Sequence, residues 1–402
     1  MESNMHHPIV IIGSGMAGYT LAREFRKLNP DHELIMISAD DAVNYAKPTL
    51  SNALVGNKSP EQIPLGNAEK MQTQLNMQIE SFTWVKEIHP ERHEIVIEKD
   101  SILHTQPYAK LILALGANPI RLAISGDASQ DIYVVNSLID YSAFREKLSL
   151  CDNKRVAILG AGLIGCEFAN DLQQSGFSTT VIDLSEQPLG RLLPAHIAEV
   201  FKQKLEQSGI QFVLGTTVDK ISYHDQTQQH YDVTLANGQT LTADIVLSAI
   251  GLQPNIHLAE SANITCSRGI ITNTLLETSQ PDIYAIGDCA EVNGTLLPYV
   301  MPIMQQARAL AKTLAGQHTC VHYPAMPIAV KTPVIPLTVL PAPIDVDIEW
   351  ETEQLEDGLI AKAIDINTTD LRGFILLGAT AAKQRLVLTK LVPDLIPLPI
   401  NS

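Results

Sequence analysis

PIVIIGSGMAGYTLAREF (8–25) recurs, reworked, as KRVAILGAGLIGCEFANDL (154–172). Each copy reads as a short apolar strand, a GxGxxG turn and an amphipathic helix. The glycines are Gly13, Gly15 and Gly18 in the first copy, and Gly160, Gly162 and Gly165 in the second. In such a turn the first glycine makes the bend. The second lets backbone approach a pyrophosphate, and the third lets helix and strand pack closely. The phosphates then meet unpaired amides at the positive end of the helix. A single GxGxxG is a weak signal, because glycine-rich turns are common. Two copies in strand–turn–helix context predict two dinucleotide sites.

Each copy is followed by a second strand that ends in an acid. ELIMISAD (33–40) ends at Asp40, and STTVIDLSE (178–186) carries Asp183 at its strand end. An acid roughly 20 residues beyond the first glycine accepts hydrogen bonds from a ribose hydroxyl pair. Asp183 would repel a 2′-phosphate, and Leu184 and Ser185 supply no arginine to hold one. NADH is therefore expected over NADPH at the second site.

LILALGANPIR (111–121) and DIVLSAIGLQPN (244–255) are buried strands ending at Gly116 and Gly251. Both read as crossings between the two nucleotide domains. TSQPDIYAIGDCAEV (278–292) places a strand just before Gly287 and Asp288. The helix of YVMPIMQQARALAKTLAGQ (299–317) follows, with Pro302 in its first turn. Pro-rich and alternating segments from about 319 read as a small α+β domain. The expected fold is thus α/β, with two Rossmann-like domains and a small C-terminal domain. The expected boundaries are 1–118 and 245–318 for the first nucleotide domain, 119–244 for the second, and 319–402 for the tail.

The 402 residues carry 28 Lys plus Arg against 44 Asp plus Glu, a formal charge of −16. Nucleic acid and anionic membrane surfaces both favour a positive footprint, so neither is an expected partner. No apolar run approaches the roughly 18 residues of a membrane helix. The polar start, Met1 to His7, does not resemble a signal peptide. The five cysteines form no CxxC pair, and the histidines, including His6 and His7, form no ligand spacing. No metal is expected, and the reading is a cytoplasmic protein.

The motifs VIIGSGMAG, NYAKPTLS, LILALGANPIR, ILGAGLIGCE, AIGLQPN and IYAIGDCAE stand in the order of a known group. The chain resembles the two-dinucleotide-binding-domain flavoproteins, which include disulfide, ferredoxin and rubredoxin reductases. The resemblance implies FAD in the first fold and NADH in the second. It places Gly13, Ser14, Gly15, Met16 and Gly18 at the FAD pyrophosphate and Asp40 at its adenosine ribose. Val85, in ESFTWVKEI, resembles the backbone contact to adenine. Asp288 would hold the ribityl chain, and the helix starting at Val300 would point at the flavin. Gly160, Gly162, Gly165, Asp183 and Gly251 fall to NADH.

Three residues are expected to act at the reacting centre. Lys47 resembles the flavin-adjacent cation of the family, Glu167 could pair with it and face the nicotinamide, and Lys331 resembles a tail lysine that closes over the flavin. The segment Asn44–Ser51 contains no cysteine, where thiol-using members carry one, so Cys166 and Cys289 read as packing residues. YAKP, YVMP and VKTPVIPL are similar to the rubredoxin and flavorubredoxin reductases within the family. The resemblance implies two single-electron transfers to rubredoxin for each hydride, feeding an alkane hydroxylase, with flavorubredoxin or ferredoxin as the alternative acceptor. A monomer is expected, because the tail lacks the length of the family's dimerising tails.

Overall fold

The computed structural model describes residues 7–397; His6 of the His6–His7 pair lies outside them. Its first sheet is parallel, in the order Ile283–Ala285, Lys110–Leu113, Ile9–Ile12, Leu34–Ile37, Gln78–Glu80. Ile9–Ile12 and Leu34–Ile37 are buried at every position, as strands covered on both faces must be. Helices Met16–Leu28 and Val300–Leu314 pack on one another beside this sheet. They share its core through Leu21, Phe25, Ala307 and Leu310.

The second sheet repeats this plan. Its order is Gln211–Leu214, Ser178–Asp183, Arg155–Leu159, Ile245–Ser248, Tyr133–Val134, again all parallel. Each unit also carries a three-stranded antiparallel meander. One is built from Trp84–His89, Glu94–Lys99 and Ile102–Pro107, the other from Val218–Tyr223, Tyr231–Leu235 and Thr240–Ala243. The repeat visible in the two fingerprints thus extends to whole domains.

The expected boundary between 244 and 245 is corrected. Ile245–Ser248 pairs with Val156–Leu159 and belongs to the second sheet. The chain crosses back only afterwards, where Leu252–Pro254 pairs antiparallel with Ala117–Pro119. The apolar run is a strand of the second nucleotide domain followed by the crossing, and hydropathy alone does not separate the two.

The tail forms an antiparallel sheet in the order Ile328–Val330, Leu337–Leu340, Leu371–Leu377, Leu359–Asp365, Ile348–Gln354. Two short helices, Ala379–Ala382 and Arg385–Thr389, follow it. Its inward face shares one apolar core with the second nucleotide domain, where Phe168 and Phe201 cluster with Ile335, Val339 and Ile375. No helix among the described residues is long and apolar enough to cross a membrane.

Candidate active site

The two fingerprint turns have matching geometry. Gly13 and Gly160 take φ of +113° and +106°, a region in which a side chain is strained. A Cβ on Gly13 would collide with the Ala114 carbonyl, and one on Gly160 with the Ala249 carbonyl. A Cβ on Gly18 or Gly165 would strike the carbonyl of Gly13 or Gly160. Around Gly15 and Gly162 nothing lies within 4 Å of the same position. Each turn is therefore closed against the end of the neighbouring strand and open in front of its middle glycine. Helices Met16–Leu28 and Leu163–Gln174 start there with no capping side chain and no acid in the first turn. Their orphan amides suit a phosphate. Gly251, at φ +122°, follows Ala249 at the end of the neighbouring strand.

The two acids are tied to their turns. Asp40 Oδ1 accepts from Ser14 Oγ at 3.1 Å, Ala42 N at 3.0 Å and Ser38 Oγ. No protein donor among the described residues reaches its Oδ2. Asp183 accepts the Ala161 amide and, at 2.7 Å, the Ser185 amide. Carboxylate oxygens have two lone pairs each, so both acids keep acceptor capacity for ribose hydroxyls. Val85 sits half-buried at an irregularity between Val85 and Glu87 in its strand pairing.

Asp288 lies in the turn Gly287–Cys289, where the strand Ile283–Ala285 gives way to a single 3-10 turn. Its Oδ1 is buried and has no hydrogen-bond partner. A buried acceptor left in that state costs about 1–3 kcal/mol. Burial also raises the Asp288 carboxyl above its ordinary range, with Lys47 pulling the other way. The preceding Gly287 amide is held by Gln306 Oε1 at 2.6 Å, which fixes this turn to helix Val300–Leu314. That helix begins at Val300 without a capping side chain. An orphaned buried carboxylate oxygen, an uncapped helix start and the open cradle at Gly15 together fit FAD, whose polyol chain carries hydroxyl donors.

The expected Lys47–Glu167 pair is corrected. Glu167, 6% exposed, binds Lys331 instead. Its Oε2 lies 2.7 Å from Lys331 Nζ and 2.6 Å from Ser51 Oγ, and its Oε1 accepts the Lys331 amide at 3.0 Å. Lys331 Nζ also donates to Ser51 Oγ at 2.7 Å and to the Pro48 carbonyl. An ammonium has three donors, and these contacts use all of them. The physical reason is reach. Lys47 opens the 3-10 turn Lys47–Asn52, whereas Ser51, one turn later, is the residue presented to Glu167. Lys47 has no carboxylate within 4.0 Å among the described residues. Crowding by protein lowers its ammonium pKa, opposed by the charges of Asp288, Asp40 and Asp140.

Cys166 and Cys289 are fully buried, and all five cysteines are unbridged. Burial pushes the Cys289 thiol up to about 12 and raises Cys166 still further. Neither is a thiolate near neutral pH. No group of three or more potential metal ligands occurs among the described residues.

Residues 7–312 match the family described as pyridine nucleotide-disulphide oxidoreductase. The chain belongs to that family. Residues 320–392 match a second description, the rubredoxin binding C-terminal domain. The chain is 75% identical over 391 residues to a rubredoxin-NAD(+) reductase of Acinetobacter baylyi, covering 97% of this chain and 99% of that one. It is 40% identical over 391 residues to a rubredoxin-NAD(+) reductase of Alcanivorax borkumensis, covering 97% and 100%. The reductase of a covalent putidaredoxin reductase–putidaredoxin complex shares the fold, with a TM-score of 0.86 at 22% identity, covering 96% of this chain and 94% of that one. In this pyridine nucleotide oxidoreductase the tail therefore has a family description of its own.

Sequence reasoning missed several polar residues around Lys47. Asp171 accepts the amides of Leu54 and Val55, Tyr45 Oη accepts the Leu138 amide, and Arg145 donates to the Lys58 carbonyl. The acid Asp171, one turn after Glu167 on the same face of the second fingerprint helix, is the one readable sign.

Proposed function

We propose that this protein is an FAD-dependent NADH:rubredoxin oxidoreductase. It takes a hydride from NADH and passes electrons singly to two rubredoxins. The observation that carries this reading is a rubredoxin-binding tail over 320–392 on a chain with two open fingerprint turns. When bound, FAD supplies the conversion between two-electron and one-electron chemistry. The chain's own residues bind, orient and charge the site. Gly13, Ser14, Gly15, Met16 and Gly18 hold the FAD pyrophosphate, Asp40 its ribose, the Val85 backbone its adenine and Asp288 its polyol. Gly160, Gly162, Gly165 and Gly251 shape the NADH site, and Asp183 selects NADH by accepting its ribose hydroxyls.

Lys47 brings an unpaired positive charge to the hydride-accepting edge. The positive end of helix Val300–Leu314 faces the same ring, a favourable placement for negative charge. Glu167 and Lys331 neutralise one another and fasten the tail over the site. Alignment is the main demand of hydride transfer, so no general acid–base pair is required. We place the enzyme in the cytoplasm as a monomer that serves an alkane hydroxylase.

The test is steady-state NADH oxidation by the flavin-loaded protein with rubredoxin, flavorubredoxin or ferredoxin as acceptor. Rubredoxin should give the highest kcat/KM. A higher value with either of the others would overturn the choice of partner and leave the cofactors standing.

A further inference from the structure

Helix Leu163–Gln174 carries three buried polar residues on one face, Glu167, Asn170 and Asp171. Glu167 is matched by Lys331. Asp171 has no cationic partner within 4.0 Å among the described residues, although it is only 2% exposed. Its Oδ2 accepts the Leu54 amide at 3.0 Å and its Oδ1 the Val55 amide at 2.9 Å. Burial raises its carboxyl pKa, with these two amides as the main opposing influence.

Leu54 and Val55 lie just beyond the turn Lys47–Asn52. The same segment is gripped elsewhere from outside its own domain. Upstream, Tyr45 Oη accepts the Leu138 amide at 3.1 Å. Lys331 holds Pro48 and Ser51. Downstream, Arg145 donates to the Lys58 carbonyl at 2.7 Å and to Asn57 Oδ1 at 3.1 Å. Lys47 stands among these grips, and its own ammonium takes part in none of them.

We infer that Asp171 is a positioning residue for hydride transfer, anchoring the Lys47 segment to the helix that opens at the second fingerprint. The inference rests on the cofactor assignment above. A carboxylate suits the task because it accepts at both oxygens. An asparagine of the same shape would turn one acceptor into a donor facing an amide. Through Asp171, the helix start proposed for the NADH pyrophosphate and the lysine proposed for the flavin edge move as one body.

The test is stopped-flow reduction of the bound flavin by NADH, without rubredoxin, in wild-type holoenzyme, Asp171→Asn, Lys47→Met and the double variant. Asp171→Asn should lower the limiting rate about 10-fold, since small misplacements cost up to about 100-fold. Flavin content should be unchanged, and the NADH Kd should move by less than about twofold. In the Lys47→Met background the same substitution should change the rate by less than about twofold, because the two act through one another. Equal losses in both backgrounds, or no loss in either, would overturn the inference. A wild-type flavin that NADH does not reduce would sink the cofactor reading itself and take this inference with it.

Should Asp171→Asn not hold flavin, amide exchange on the wild-type holoenzyme decides. The Leu54 and Val55 amides should be protected like those of the core strands. Exchange at open-loop rates would show that Asp171 anchors nothing.

Discussion

Asp288 is where residue chemistry speaks most directly. Its buried Oδ1 lacks a protein donor, in a turn otherwise tightly held by Gln306. Proteins rarely leave such an atom unmatched, and hydroxyl donors from a bound polyol would match it. A hydrogen bond to a charged acceptor contributes about 1.5–3 kcal/mol, so losing the one at Oδ1 should weaken FAD by about one to two orders of magnitude. Asp288→Ala should therefore purify largely colourless while keeping its fold. Asp288→Asn, which retains one acceptor oxygen, should fall between. The check is the flavin-to-protein absorbance ratio, followed by titration of FAD into apoprotein. Full occupancy in Asp288→Ala would remove the residue from the site. This aspartate was legible in the sequence because GD follows a buried strand at a fixed place. The partner of Glu167 was not. Lys331 lies 164 residues away, and no local pattern distinguishes it from Lys47 as the cation that reaches Glu167.

At the scale of the element, the strand–turn–helix unit separates folding from binding within three glycines. Gly13 and Gly18 are needed by the fold, because a methyl on Gly13 meets the Ala114 carbonyl just past the neighbouring strand and one on Gly18 meets the Gly13 carbonyl of the turn itself. Such overpacking costs about 1–3 kcal/mol. Gly15 is needed only for what approaches from outside, since a methyl there meets nothing within 4 Å. Gly15→Ala should thus fold with an unchanged apoprotein Tm and lose FAD. Gly18→Ala should lower the apoprotein Tm by several degrees. The second copy gives the matched control: Gly162→Ala should keep its flavin and lose reduction by NADH. A Gly15→Ala protein that loaded FAD normally would contradict the cradle. The fingerprints could be read because their spacing is local. The strand Ile245–Ser248 was harder to assign. Its apolar run looks the same in either nucleotide sheet, and only pairing with Val156–Leu159 places it.

Across the whole molecule, three units meet on one helix. Leu163–Gln174 opens at the second fingerprint and grips the Lys47 segment through Glu167 and Asp171. Through Glu167 it also holds Lys331 of the tail. Phe168, on the same helix, lies in the core shared with the tail sheet. This arrangement bears on charge. The chain carries a formal −16, so an acidic electron acceptor would be repelled at long range. Lys47, Arg121, Arg308 and Lys331 are the candidate cations for a local basic rim that could offset this. The Lys331–Glu167 pair removes one of them from the account. Arg121 and Arg308 are exposed and form no ion pair among the described residues. Long-range repulsion should then outweigh the local attraction at low salt. The Debye length is about 30 Å at 0.01 M ionic strength and about 10 Å at 0.1 M. Screening over that interval removes the field of the whole molecule and leaves the contacts at the rim. The expected result is a kcat/KM for rubredoxin that rises severalfold between these two salt concentrations. The rate of flavin reduction by NADH alone, measured in parallel, should change far less. A kcat/KM that falls with salt would mean that the remaining cations steer rubredoxin despite the net charge, as in encounters driven by local complementarity.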